Sequence, residues 1–362
     1  MRVALDEQIF TIQEYGGISR LFFELARQFE RHPEFGVEVL PIDSAIINRY
    51  VLEDEYLSQK LHVYQAMGKY RALAKYLLRR NSRVDADIVH NTFYLPHGLV
   101  GYFGSKRIVT IHDMIPEMLP KTRRRLDLLT LKGKYIRQAD HIICVSAATR
   151  GDLLRLYPDI KAPISVVHHG VDPIFTPGVP RWSDLPDNYI LFVGNRGQYK
   201  DALVLLKAFA QFTKEFPETT LLFVGGGQFT SQELSLMNSL GITNKTRHRI
   251  LPDAEMSSAY GNALFSVFPS RFEGFGLPAL ESMACGTPTI LANATSLPEV
   301  GGDAAEYFTP GDHEELTQLM LRLARDENQL DLLAQKGVIQ AASFSWERCA
   351  AETADVYRQT LK

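Results

Sequence analysis

The chain has 362 residues, 45% of them hydrophobic and 22% charged, which suits two globular domains and excludes disordered and fibrous classes. Its formal net charge is only −3, and no apolar run approaches the roughly 20 residues needed to cross a bilayer. Cys144, Cys285 and Cys349 are scattered, odd in number and in no CxxC pair, so buried reduced thiols are expected rather than disulfides or a zinc site.

The N-terminus, MRVALDEQIF, carries Asp6 and Glu7 where a signal peptide would need its apolar stretch, and a cytoplasmic protein is expected. Charge is unevenly spread: residues 1–175 hold 24 basic against 20 acidic side chains, the remainder 15 against 22. Basic residues concentrate in GKYRALAKYLLRRNSR (68–83) and KTRRRLDLLTLKGK (121–134). Such clusters suit either a solvated helix face or an anionic membrane surface. Aromatics and glycines are not interleaved with them as a nucleic-acid module needs, so no nucleic-acid partner is expected.

In chain order, short apolar runs alternate with amphipathic segments, the pattern of βα units around parallel sheets. The first series is RVAL, VEVLPI, DIVHN, RIVTIHD, HIICVS and ISVVHHG, with helical patterns such as ISRLFFELARQFER and RRRLDLLTLKGKYIRQA between. VDPIFTPGVPRWSDLPDN (171–188) has a linker composition. A second series then runs YILFVGNRG, TTLLFVGGG, RHRILP, ALFSVFPS, TPTILAN and AAEYFTP. The expectation is an α/β protein with two Rossmann-like doubly wound domains, 1–175 and 176–342, facing a central cleft. The final helical pattern suits either domain by itself and is assigned, as 343–362, to the first.

Polar motifs follow the strands directly. GGISR (16–20) opens the first helix, and Gly16 and Gly17 would let backbone amides approach a phosphate, with Arg20 beside them. HNTFYLPHG (90–98) offers His90, Tyr94 and His97 toward an acceptor, and TIHDMIPEMLP (110–120) ends a strand at His112 and Asp113. VGNRGQYKD (193–201) supplies Arg196 and Lys200 as positive charge for a leaving diphosphate. No Asp-x-Asp sits in a matching loop, so no metal and no other cofactor are expected. GxxxxGK, GxGxxG and GxSxG signatures are absent, and Gly225–Gly227 form at most a turn near a nucleotide base.

The strongest motif is PSRFEGFGLPALESMACGTPTI (269–290). A strand ends at Phe268, a turn with Glu273, Gly274, Phe275 and Gly276 follows, and a helix begins at Leu277–Pro278, where proline is tolerated. The glycines permit close backbone approach and the helix start suits a diphosphate. Glu281 lies about one turn into that helix on an otherwise apolar face, where a carboxylate needs a partner.

This string resembles the E-x(7)-E signature of the retaining GT-B glycosyltransferases of family four (glycosyl transferases group 1), and the likeness spans essentially the whole chain. The resemblance implies that Glu273 contacts the donor sugar's 3- and 4-hydroxyls and that Glu281 holds the nucleotide ribose. It implies that backbone at Gly274, Phe275 and Gly276, with Leu277, lines the sugar and diphosphate, and that Leu297, Pro298, Glu299 and Val300 lie near the nucleotide. It places His112 against the reaction centre, Lys200 and Arg196 on the diphosphate, and the loop of Gly16 and Gly17 on the phosphate, with Asp113 an acceptor-side candidate. His169 replaces an asparagine usual in the family's H-N-G-V-D element and is read as hinge structure.

HDMIPEMLP is similar to bacterial polysaccharide mannosyltransferases, which implies mannose from GDP-mannose as the first choice and glucose from UDP-glucose as the second. The expected partners are a nucleoside diphosphate sugar and a saccharide or lipid-linked acceptor, with peripheral contact to anionic membrane. Two rival readings stand beside this one: a nucleotide-sugar 2-epimerase, which shares the GT-B architecture, and a non-catalytic sugar-nucleotide-binding subunit.

Overall fold

The structure is a computed structural model and describes residues 1–40, 47–55, 57, 85–99, 104–119 and 123–362. Basic stretch 68–83 lies outside the described residues. The chain divides into two compact units, Met1–Gly170 with Trp346–Lys362, and Val171–Ser345.

The first unit carries a parallel six-stranded sheet of β1 (Arg2–Leu5), β2 (Glu38–Val39), β3 (Ile88–Asn91), β4 (Lys106–Ile111), β5 (His141–Cys144) and β6 (Ile164–Val166), in the order β2-β1-β3-β4-β5-β6. Connections leave β1 and β3 toward opposite edges, so the topological switch lies between their carboxyl ends. Successive residues face opposite sides of a strand, and both sides here are apolar. Ile108 and Ile143 belong to one buried cluster; Val109, Ile111, Ile142 and Cys144 belong to the other.

The final helix, Trp346–Thr360, completes the first cluster. Trp346, Cys349, Ala350, Thr353, Ala354, Val356 and Tyr357 recur at helical spacing and are buried, packing with Phe22, Leu25 and Phe29 of the helix Gly17–Arg31. Arg358 adds a hydrogen bond from its guanidinium to Phe35 O at 2.8 Å.

The second unit carries β7 (Tyr189–Val193), β8 (Thr220–Val224), β9 (Thr246–Arg249), β10 (Phe265–Phe268), β11 (Thr289–Ala292) and β12 (Glu306–Phe308), all parallel, in the order β12-β11-β10-β7-β8-β9. Its switch falls between β7 and β10. The strand expected at 247–252 sits earlier, at Thr246–Arg249, and Ile250 is left 75% exposed beyond it.

The unit boundary falls at Gly170–Val171 instead of after residue 175, because segment 171–188 packs on the second unit. Phe175 and Leu185 are buried, the Trp182 amide donates to Ser258 Oγ at 2.8 Å, and Ser258 Oγ donates to Pro180 O at 2.9 Å. All three cysteines are free and buried. Among the described residues no helix is long and apolar enough to cross a membrane.

Candidate functional site

At the second unit's switch, the loops after β7 and β10 are laced together. Lys200 closes a short 3-10 turn, Gln198–Lys200, and its Nζ donates to Glu273 Oε1 at 2.5 Å. Both side chains are largely shielded, at 14% and 12% exposed. Arg271 Nε meets Asp201 Oδ2 at 2.5 Å, and the Arg271 amide donates to Tyr199 O at 2.8 Å. Asp201 adopts a left-handed backbone conformation (φ 51°), one that an Asp tolerates better than most side chains.

The loop after β11 locks Glu273 from the other side. Thr295 Oγ1 accepts from the Glu273 amide at 2.9 Å, and Ser296 Oγ donates to Glu273 O at 3.1 Å. Thr295 also holds a positive φ of 48°, which a β-branched residue adopts only when its surroundings enforce it. Gly276 has φ 111°, and a Cβ there would stand 3.1 Å from Leu297 Cδ2. That glycine is therefore favoured by its backbone conformation, and a side chain there would press on the Leu297 methyl.

Helix Leu277–Ala284 starts at Gly276 with Pro278 in its first turn. Phe275 is buried, its ring edge-on to Phe344 at 5.8 Å, so the turn offers backbone at this position and not the side chain. Behind the helix, a Cβ on Gly337 would approach Met283 Cβ to 3.3 Å, and this close packing fixes the helix against Glu327–Ala342. Glu281 Oε2 accepts from Tyr260 Oη at 2.9 Å.

Arg196 takes a different place from the one expected. Its Nε pairs with Glu233 at 2.8 Å, with the two side chains only 5% and 6% exposed, and its other nitrogens donate to Gly225 O, Gly227 O and Gln228 O. The guanidinium also lies 4.7 Å from the Phe229 ring centroid. A guanidinium so occupied braces the Gly225–Gly227 turn instead of presenting its charge at the switch, where Lys200 and Arg271 carry positive charge. Glu233 in turn completes a capping box with Thr230 on the helix Ser231–Ser239.

In the first unit, many of the expected polar residues have gone into the core. His90 is buried, with Nδ1 2.7 Å from Tyr357 Oη and Nε2 2.7 Å from Thr110 Oγ1, and burial pushes its pKa down to about 3. Tyr94 is 5% exposed and donates its hydroxyl to Thr110 O at 2.8 Å. Neither can face an acceptor, which corrects the expectation for both. His97 lies in the turn Pro96–Leu99, but its side chain is outside the described residues. Asp113 uses Oδ1 to accept from the Ile115 amide at 3.0 Å, so its carboxylate serves the local turn.

His112 behaves differently from His90. It is 8% exposed, and neither ring nitrogen has a hydrogen-bond partner among the described residues. Burial, reinforced by the neighbouring His169, holds its pKa well below the usual value and keeps the imidazole neutral. Lys132, from the expected basic surface stretch, is also buried at 2%, donating to Asp113 O and pairing with Glu117. Its charge therefore cannot serve a membrane face.

At the first glycine loop, a Cβ on Gly16 would come within 2.4 Å of the Gln13 carboxamide. Gln13 Oε1 accepts from the Ser19 amide at 2.9 Å, capping the helix that Gly17 begins. Arg20 lies under the surface, its guanidinium 4.8 Å from the Tyr50 ring centroid.

Comparison with known proteins agrees with this fold. Residues 182–338 match the family described as glycosyl transferases group 1, and residues 15–175 match glycosyltransferase family 4. The chain is 30% identical to O-antigen chain mannosyltransferase B of Escherichia coli, covering 74% of this chain and 72% of that one. It is 29% identical to the MMP alpha-(1->4)-mannosyltransferase of Mycolicibacterium hassiacum, over 77% and 72% of the two chains. Among solved structures, Anabaena HepE in complex with UDP and glucose superposes with a TM-score of 0.77 at 18% identity, over 99% of this chain and 100% of that one. The chain belongs to the family-four glycosyltransferases and has the GT-B fold.

Proposed function

We propose that this glycosyltransferase moves a hexose, mannose from GDP-mannose in the first instance, to a glycan or lipid-linked saccharide in bacterial polysaccharide or lipopolysaccharide assembly. The observation that carries the reading is the Lys200–Glu273 pair at the β7/β10 switch, with Glu281 on the helix that follows. Ligands of doubly wound sheets bind beyond such strand ends. Lys200 and the start of the helix at Leu277 supply positive potential for the departing diphosphate, with no metal called upon. Glu273 receives sugar hydroxyls and Glu281 the ribose. Gly274 and Gly276 let the backbone come close to both phosphates.

Transfer with retention follows if the acceptor attacks from the leaving group's side and the diphosphate takes the acceptor's proton. No protein nucleophile is then needed. His112, neutral and with two unengaged ring nitrogens, is suited to hydrogen-bond the donor sugar. Mannose is favoured because two of the relatives are named mannosyltransferases. UDP-glucose is the second reading, favoured by the structural likeness to a protein holding UDP and glucose. A lipid-linked acceptor would place the enzyme peripherally at the cytoplasmic membrane face, and binding to anionic vesicles that weakens with salt is the expected behaviour.

The test is nucleoside diphosphate release from a panel of GDP- and UDP-sugars, with and without lipid-linked glycan. Release from one donor, dependent on acceptor, is expected. Release of free sugar without acceptor would indicate an epimerase, and no release with any donor a non-catalytic subunit.

A further inference from the structure

A carboxylate on an otherwise apolar helix face is costly to desolvate unless something holds it. Glu281 is half-buried, and Ala284 and Cys285, which follow it on the same side one turn on, are buried. What reaches Glu281 from the neighbouring helix Asp253–Gly261 is Tyr260, whose hydroxyl donates to Oε2 at 2.9 Å.

Tyr260 is itself held at both ends. Its side chain is 0% exposed, and its ring stands edge-on to Phe175 at 5.8 Å. Its backbone carbonyl accepts from Thr287 Oγ1 at 2.7 Å, just beyond the C-terminal end of the helix that carries Glu281. The phenol is therefore a fixed donor to one oxygen of the carboxylate. Tyr260 thereby holds Oε2 of Glu281 on a defined donor.

We propose that Tyr260 is a positioning residue for nucleotide recognition, fixing Glu281 so that its carboxylate receives the ribose hydroxyls of the donor. The inference rests on the reading of Glu281 as the ribose contact. A phenol is chemically suited to this role, because it donates one strong hydrogen bond to an anion and brings no charge of its own.

The experiment is calorimetric titration of GDP and UDP, each beside its 2′,3′-dideoxy counterpart, into the wild type, Tyr260→Phe, Glu281→Gln and the double variant. Phenylalanine keeps the ring against Phe175, so folding is preserved. Tyr260→Phe is expected to weaken the preferred ribonucleotide about tenfold, as for loss of a hydrogen bond to a charged group, and to leave its dideoxy counterpart unchanged. In the Glu281→Gln background the same change should add nothing. Equal weakening of both nucleotides, which a packing role would give, overturns the proposal, and so does no weakening of either. If Glu281→Gln itself keeps the preference for ribose, the reading of Glu281 fails and the inference falls with it. If Glu281→Gln abolishes that preference while Tyr260→Phe retains it in full, only the role of Tyr260 is refuted.

Discussion

The strand ends of the two sheets treat their polar residues in opposite ways. In the second unit the residues after β7, β10 and β11 bond to one another across the switch, Lys200 to Glu273, Arg271 to Asp201, Thr295 to the Glu273 backbone, and stay at the unit's surface or just beneath it. In the first unit the polar residues at the ends of β1 and β3 turn inward. Asp6, 1% exposed, accepts from Asn91, the Thr92 amide and Thr92 Oγ1, while His90 and Tyr94 are spent on Thr110 and Tyr357. The same fold thus leaves polar strand ends near the surface in one unit and uses them as internal bracing in the other. A histidine or tyrosine after a parallel strand does not by itself mark a site; what its polar atoms are bonded to decides.

Removing one member from each side puts this contrast under the greatest strain. Lys200→Ala takes away the cation paired with Glu273 at the second switch and should lower kcat about 10²–10³-fold, in the range for losing a preorganised transition-state contact of about 3–4 kcal/mol. Its thermal midpoint should change far less. An unchanged kcat would mean that the pair with Glu273 is only structural.

In the first unit the expectation divides between two histidines. His90→Leu strands the Tyr357 hydroxyl and Thr110 Oγ1 and should cost about 2–4 kcal/mol of stability in urea titration, with kcat of the folded protein retained. His112→Ala, which strands no bonded partner, should cost kcat about tenfold or more while stability falls less than for His90→Leu. Reversal of that order would erase the distinction between bracing and site.

The smaller effect is in pH. Burial lowers the pKa of His90 and of His169 to about 3, whereas in the unfolded chain each takes up a proton below about 6.5. The unfolded state then binds more protons, so stability is complete above about pH 6.5 and is lost as pH falls toward 3. Each histidine contributes a slope of up to about 1.4 kcal/mol per pH unit. Urea titrations at pH 7, 6 and 5 should show the decline, and His90→Leu should make it shallower; a stability independent of pH across that range would place these rings in water.

The legible parts of the sequence were those governed by local backbone chemistry. Glycines and a proline between an apolar strand and a helix fix the turn at 273–278, so Glu273 and Glu281 fall where spacing puts them, and the end of β7 places Lys200 in the same way. Nothing local to Glu233, which completes a capping box with Thr230, announces that it pairs with Arg196. The burial of His90 depends on Tyr357, 267 residues away on the final helix, and no local pattern encodes that partner. Tyr260 and Glu281 are likewise 21 residues apart on different helices. Segment 171–188 read as a linker because its turn residues mask two anchors, Phe175 and Leu185, that seat it on the second unit.

If the two glutamates of one motif read different parts of one donor, their variants must separate the sugar from the nucleotide. Calorimetry of the preferred nucleoside diphosphate and of its sugar nucleotide, with Glu273→Gln and Glu281→Gln, asks for that separation. Glu281→Gln should weaken both ligands by the same factor, about tenfold, whereas Glu273→Gln should weaken the sugar nucleotide and spare the bare diphosphate. Equal and mild losses for both ligands with both variants would contradict the division of roles.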